Sequence, residues 1–172
     1  MVSGQKPRGT HQVLVVDDDP FIQQLAQAIL SSRGQKITAV GTGAEALARM
    51  AEVPPDLVLL DLGLPDVPGL EVLRHLRAAR SWDHVRILML TGSHDVEDIV
   101  RAKQAGASGY VCKPIQPDAL ADMVCDLLEQ DTLLWVDDYT RSHKGSWSSQ
   151  PDFHLWVPDC QARGGRTGPG NR

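Results

Sequence analysis

The feature that most constrains the fold is a short apolar run, Leu57–Leu60, which ends in the carboxylate of Asp61. Chain-breaking prolines flank it, with Pro55 before the run and Pro65 after it. An unbroken apolar run between such breakers is typical of a strand that is buried on both faces of a parallel sheet. We therefore expect Asp61 at the carboxyl end of an interior strand, the edge at which open α/β sheets bind ligands.

Four further apolar runs of strand length occur, and amphipathic segments separate them. The predicted strands are 12–16, 36–40, 57–60, 86–90 and 108–112. Apolar residues recur at helical spacing in the predicted helices, which are 20–32, 44–51, 70–80, 95–104 and 117–130. Strands that alternate with helices indicate an α/β fold with a parallel sheet, because parallel strands need crossover helices between them.

Length and composition restrict the class of protein. The 172 residues carry a net charge of −5 and are 42% hydrophobic, as expected of one globular domain with a tail. No apolar run is long enough for a membrane span, and the polar N-terminus does not resemble a signal peptide. Three cysteines without metal spacing favour a reducing, cytoplasmic location. Without a basic stripe, direct binding to nucleic acid is not expected.

The chain divides into three parts. We expect a flexible N-terminus at 1–10, a single domain at 11–130, and a C-terminal tail at 131–172 whose Gly- and Arg-rich end is disordered. The tail holds five of the eight aromatic residues, Trp135, Tyr139, Trp147, Phe153 and Trp156. Because aromatic residues are unusual in solvated linkers, a docking or dimer-forming tail is favoured over a non-functional extension.

Two short apolar pieces of the tail, 133–136 and 155–157, suit strands or docking segments. The sequence of 133–138 also resembles that of 14–18, since both are apolar runs followed by two aspartates. A degenerate second copy of the start of the domain is therefore a third interpretation of the tail.

Polar residues follow or end four of the five predicted strands. They are Asp17 and Asp18 for the first strand, Asp61 for the third, Thr91 for the fourth and Lys113 for the fifth. All these strand ends lie at one edge of a parallel sheet, so the side chains should converge. Three adjacent carboxylates repel one another unless a cation lies among them, and Mg²⁺ prefers oxygen ligands. Lys113 and Thr91 suit the oxygens of a phosphoryl group, and Asp61 is the candidate nucleophile because a carboxylate can form an acyl phosphate.

Each of these residues also has a purely structural interpretation. Asp17, Asp18 and Asp19 precede a helix and suit capping, with Asp18 or Asp19 as the cap. Asp61 and Thr91 suit turns, and a Lys–Pro pair is common in loops. Their joint placement at matching strand ends favours a shared phosphoryl and metal site.

With these motifs, residues 11–130 resemble the receiver domain of two-component response regulators. The matching motifs are Val-Val-Asp17-Asp18, Asp56-Leu-Val-Leu-Leu-Asp61-Leu-x-Leu-Pro65, Gly69-Leu-Glu-Val-Leu, Leu90-Thr91-Gly92, Gly106-Ala-Ser-Gly-Tyr110 and Lys113-Pro114. The resemblance implies a flavodoxin-like, doubly wound sheet of five parallel strands in the order 2-1-3-4-5, with five helices.

The resemblance implies a role for each acidic residue. Asp61 would accept a phosphoryl group from a histidine kinase or a histidine phosphotransfer protein. Asp17, Asp18, Asp61 and the backbone carbonyl of Gly63 would hold Mg²⁺.

It also implies how the signal leaves the site. Thr91 would move toward the phosphoryl group, Tyr110 would turn inward with it, and Lys113 would pair with the phosphoryl oxygens. The bond between Lys113 and Pro114 would be cis. The face formed by the fourth helix, fifth strand and fifth helix would then bind a downstream protein or a second copy of the chain.

These implications describe a stand-alone switch, not an enzyme, with autodephosphorylation as its only turnover, and with no direct nucleic-acid or membrane partner. Gly63 and Gly92 stand where larger side chains are common in the family. We therefore expect water to reach the acyl phosphate easily and the phosphorylated state to be short-lived.

Two other classes fit parts of the sequence. A phosphatase of the haloacid dehalogenase type would use Asp17 as its nucleophile, but it would leave Asp61 without a role, and its acidic pair after Lys113 is missing. A receiver that acts only as an interaction module is the other alternative, and the intact Asp61, Thr91 and Lys113 argue against it.

Overall fold

The structure, a computed structural model, describes residues 9–93 and 95–130, together with the backbone of 136–137. The expectations for 1–8 and for the rest of the tail lie outside these residues.

Strands and helices alternate along the described chain. The elements are β1 (Gln12–Val16), α1 (Pro20–Ser31), β2 (Lys36–Val40), α2 (Gly43–Glu52), β3 (Leu57–Leu60), α3 (Gly69–Ala78), β4 (Arg86–Thr91), α4 (Val96–Gln104), β5 (Gly109–Cys112), α5 (Pro117–Glu129) and β6 (Val136–Asp137). One turn of 3₁₀ helix, Arg80–Trp82, connects α3 to β4. The five predicted strands and five predicted helices are confirmed.

The first five strands form a parallel sheet in the order β2-β1-β3-β4-β5, which confirms the predicted fold class. The structure adds a short sixth strand, because β6 pairs in parallel with the outer edge of β5. Of the tail segment 133–136 that suited a strand, the described part is Val136, and it pairs with Gly109.

The central strand β3 is buried on both faces, as its apolar run predicts. Val58 and Leu60 pack into the core beneath α2, α3 and α4. Leu57 and Leu59 point to the opposite face and pack against α1 and α5. Since the two sides of the sheet are covered, Asp61 lies where β3 leaves the core.

Side-chain caps begin three of the helices. Asp19 accepts a hydrogen bond from the N–H of Phe21 at the start of α1, and Asp95 caps α4 in the same way. Thr42 accepts from the N–H of Glu45 at the start of α2. The Glu45 carboxylate in turn accepts from the N–H of Gly41, one residue before the position typical of a capping box.

Candidate functional site

The strand register brings the predicted site residues to one edge of the sheet. Val16 pairs with Leu60, so Asp17 and Asp61 leave neighbouring strands side by side. Thr91 pairs with Cys112, which places Lys113 just beyond Thr91. The Lys113–Pro114 peptide bond is cis. Residues that are far apart in the sequence therefore share one pocket.

Three carboxylates form the floor of this pocket. Asp17, Asp18 and Asp61 each offer an oxygen atom, and these atoms all lie within 4.8 Å of one another. Asp17 and Asp61 are buried residues, 1% and 7% exposed, whereas Asp18 is exposed. Oxygen atoms at this spacing, open to solvent on one side, fit a hard divalent cation such as Mg²⁺.

Gly63 lies next to the acidic cluster. Its N–H donates to Oδ1 of Asp61 at 3.3 Å. The backbone N–H of Gly63 is therefore beside the carboxylate of Asp61, and the carbonyl of the same residue is the expected further ligand of a cation.

Lys113 brings a positive charge to the acidic cluster. Its Nζ lies 2.6 Å from Oδ2 of Asp17 and 3.4 Å from Oδ2 of Asp61. Burial would lower the pKa of Lys113, but the hydrogen bond to Asp17 and the charges of Asp61 and Asp17 outweigh burial, so this pKa is raised. Lys113 is therefore a cation at neutral pH.

The pKa of Asp61 is the balance of opposing influences. Burial raises this pKa, the charge of Lys113 lowers it, and the neighbouring charge of Asp17 raises it again, with a net rise. The electrostatic cost of the buried carboxylates is the physical reason that a cation would be attracted here.

A hydrogen-bonded group links the site to α4 and β5. The Oγ1 atom of buried Thr91 accepts from the N–H of Ser93 at 3.0 Å. The hydroxyl of Ser93 donates to Asp98 of α4 at 2.7 Å, and the hydroxyl of Tyr110 donates to the carbonyl of Ser93 at 3.0 Å. Tyr110 is turned inward, and burial raises the pKa of its hydroxyl. Ser93 thus joins Thr91, Tyr110 and Asp98.

Sequence reasoning missed the connecting roles of Ser93 and Asp98. The available signal was local, because a hydroxyl two residues before the α4 cap at Asp95 can reach a carboxylate in the first turn.

The mouth of the pocket is open beside two glycines. Apart from the adjoining residues in the chain, no described residue has an atom within 4 Å of the position that a Cβ would take at Gly63 or Gly92. A side chain at either position would therefore begin in open space.

A family comparison agrees with this geometry. Residues 13–125 match the family model for the response regulator receiver domain. No helix in the described part of the chain has the length and apolar character needed to cross a membrane.

Similar curated proteins come from mycobacteria. The chain is 42% identical over 113 residues to the DNA-binding response regulator MtrA of Mycolicibacterium smegmatis. The matched region covers 66% of this chain and 48% of MtrA. It is also 44% identical over 106 residues to the transcriptional regulatory protein KdpE of Mycobacterium tuberculosis. That matched region covers 62% of this chain and 46% of KdpE. The chain thus spans about half the length of these relatives.

Similar solved structures include receiver domains from other bacteria. The chemotaxis response regulator CheY4 of Vibrio cholerae superposes with a TM-score of 0.66 at 29% identity, covering 70% of this chain and all of CheY4. The BeF3-activated DrrB receiver domain superposes with a TM-score of 0.65 at 30% identity, covering 71% of this chain and all of that domain.

Proposed function

The chain belongs to the response regulator receiver family, and we propose that it accepts a phosphoryl group on Asp61 and thereby switches a protein-binding surface. Receiver domains are phosphoacceptor switches of two-component signal transduction. The proposal concerns which residues of this chain do the work, its partners, and its action as a stand-alone switch.

The observation that carries the proposal is the convergence of Asp61, Lys113 and Thr91 at the carboxyl edge of the sheet. Asp61 belongs to the acidic cluster, and its Oδ2 lies 3.4 Å from the ammonium nitrogen of Lys113. A carboxylate oxygen of Asp61 would attack the phosphorus of a phosphohistidine, forming an O–P bond while the P–N bond breaks and the histidine nitrogen keeps the electron pair. Lys113 and Thr91 would bind the equatorial oxygens, where charge develops during the transfer.

Asp17, Asp18, Asp61 and the carbonyl of Gly63 are the residues that would hold Mg²⁺. When bound, the ion would neutralise charge on the phosphoryl oxygens. Without it, the chain supplies one ammonium group against three carboxylates, so a dianionic phosphoryl group would meet net repulsion.

Phosphorylation would act on Thr91 first. For Thr91 to bind the phosphoryl group, its hydroxyl must reorient, which loosens the hydrogen bond from the N–H of Ser93. Ser93 also contacts Tyr110 and Asp98, so the change would reach β5 and α4. We propose that the surface of α4, β5 and α5 binds a downstream protein or a second copy of the chain.

The partners proposed are a histidine kinase or a histidine phosphotransfer protein as phosphoryl donor, in the cytoplasm. MtrA and KdpE are named as DNA-binding and transcriptional regulators, but this chain spans only about half their length. We propose that residues 11–130 contact protein and not DNA.

The dehalogenase-type phosphatase is less well supported than the receiver. It would need Asp17 as its nucleophile, yet Oδ2 of Asp17 binds Lys113 at 2.6 Å and Oδ1 accepts from the N–H of Asp19 at 2.9 Å. The oxygens of Asp61 make longer contacts, 3.4 Å to Lys113 and 3.3 Å to Gly63. Asp61 is therefore the more available nucleophile.

Intact-protein mass spectrometry tests the proposal after treatment with acetyl phosphate and Mg²⁺. The wild type should gain one phosphoryl group, whereas Asp61→Asn and a wild-type sample in EDTA should not. A gain that persists in Asp61→Asn and is lost in Asp17→Asn would favour the phosphatase. If the wild type gains no mass, and beryllofluoride with Mg²⁺ also causes no change in its NMR spectrum, the switch is excluded.

A further inference from the structure

The loop between β3 and α3 carries Gly63 and is closed tightly at its base. The N–H of Gly69 donates to the carbonyl of Leu62 at 2.8 Å. A Cβ at Gly69 would overlap the carbonyl of Asp61, so only glycine allows this approach. The loop therefore leaves β3 at the candidate phosphoacceptor and returns to it eight residues later.

Gly63 has no side chain that could hold the loop in place. No described atom lies within 4 Å of the position of its missing Cβ. Leu64 is buried in the core and anchors the chain just after Gly63. A second anchor further along the loop would fix the orientation of the Gly63 peptide group.

Asp66 supplies such an anchor by bonding to a different element. Its Oδ1 and Oδ2 accept from the N–H groups of Gly43 and Ala44, each at 2.9 Å. These N–H groups belong to the first turn of α2, where helix geometry provides no partner. The two hydrogen bonds lower the pKa of Asp66, so its carboxylate is charged near neutral pH and is favoured by the helix dipole.

The contact between α2 and the loop leaves little free space. A Cβ at Gly43 would lie 2.9 Å from Cγ2 of Val72 and 3.3 Å from Cγ2 of Val67. The start of α2 is thus packed against both the loop and α3, and Asp66 binds it at that point.

We propose that Asp66 is a positioning residue of the Mg²⁺ site. It holds the loop against α2 and so keeps the backbone of Gly63 beside Asp61, where the Gly63 carbonyl would serve as a ligand. The inference rests on the proposed function, because it assigns this role at the same metal site. Asp66 touches neither the carboxylate cluster nor the phosphoryl pocket; it acts through the loop.

Thr42 provides a matched control. It caps the same helix by accepting from the N–H of Glu45 at 3.1 Å, and among the described residues its hydroxyl makes no hydrogen bond to the loop. Thr42→Ala removes one hydrogen-bond acceptor from the first turn of α2, and Asp66→Ala removes two. Only the second releases the loop.

The experiment measures Mg²⁺ affinity by isothermal titration calorimetry, and stability by urea unfolding, for wild type, Asp66→Ala, Asp66→Asn and Thr42→Ala. Loss of a group that orients a metal ligand typically weakens metal binding by about 10- to 100-fold, and we expect Asp66→Ala to lie near the lower end. Asp66→Asn keeps one acceptor oxygen and should recover part of the affinity. Thr42→Ala should be less stable than wild type and bind Mg²⁺ as wild type does.

Equal Mg²⁺ affinity in Asp66→Ala and Thr42→Ala would overturn the proposal and leave Asp66 as a helix cap. Hydrogen exchange of backbone amides, measured without metal, gives a second test. The N–H of Gly69 should exchange faster in Asp66→Ala than in Thr42→Ala. Failure of the proposed function would give a different result from failure of the role of Asp66. In that case the wild type would not bind Mg²⁺, or Asp61→Asn would bind Mg²⁺ as tightly as the wild type does.

Discussion

At the residue scale, the site is a balance between three carboxylates and one ammonium group. Lys113 lies closer to Asp17 than to Asp61, so the buried Asp17 is already paired in this structure. Asp18 is exposed at the side where a cation would enter. This arrangement supports the proposal that Asp61 accepts the phosphoryl group.

The open pocket mouth leads to a prediction about the lifetime of the phosphorylated state. Gly63 has free space where a side chain would stand. In Gly63→Met, the added side chain should cover the acyl phosphate and slow its hydrolysis, and Gly63→Ala should have a smaller effect. The loss of radiolabelled phosphoryl group over time measures this, and a wild-type half-life of many hours would contradict the exposed-site hypothesis.

At the scale of elements, Arg77 joins three segments that are far from the pocket. Its guanidinium donates to the carbonyls of Gly106, Trp82 and Val85 at 2.8–2.9 Å. Burial lowers the pKa of Arg77, since its partners here are neutral carbonyls that satisfy its donors without a full counter-charge. The end of α3 is thereby tied to the start of β4 and to the loop between α4 and β5.

Replacing Arg77 should therefore destabilise the fold. Arg77→Met keeps an apolar stem but leaves three carbonyls without this donor, which should cost about 1–3 kcal/mol of unfolding free energy. Arg74 is exposed on the same helix, and Arg74→Met should change stability by less than about 0.5 kcal/mol. Urea unfolding distinguishes the two, and equal losses would show that the carbonyl contacts of Arg77 contribute little.

At the scale of the whole molecule, the two edges of the sheet differ. β2 is partly exposed along its length, whereas β5 is buried and carries β6 on its outer side. The N–H of Ser108 points inward to the carbonyl of Ile87 on β4. Because backbone groups alternate along a strand, the N–H groups of Gly109 and Val111 face outward, toward β6.

This pairing predicts the effect of shortening the chain. In a chain that ends at Gln130, the amides of Gly109 and Val111 should exchange quickly with solvent, whereas the inward-facing amide of Tyr110 should stay protected. A chain that ends at Gly145 retains β6 and should behave as wild type. Hydrogen exchange followed by NMR measures these amides, and unchanged protection in the shorter chain would show that β6 does not cover this edge. Since β5 belongs to the proposed signalling surface, the result also shows whether the tail occupies that surface.

The sequence by itself determined the elements and most of the candidate site. Strand and helix periodicity is local, and so are caps such as Asp19 and Thr42, so the five strands and five helices could be predicted. Parallel topology then required that residues after the strands, including Asp61 and Lys113, meet at one edge.

Only the tertiary structure decided which distant groups meet. Asp66 bonds to N–H groups more than 20 residues earlier in the chain, and Arg77 reaches the carbonyl of Gly106 across 29 residues. The pairing of β6 with β5 likewise depends on where α5 returns the chain. No local pattern encodes such contacts, because they arise from packing between elements and not from the preferences of neighbouring residues.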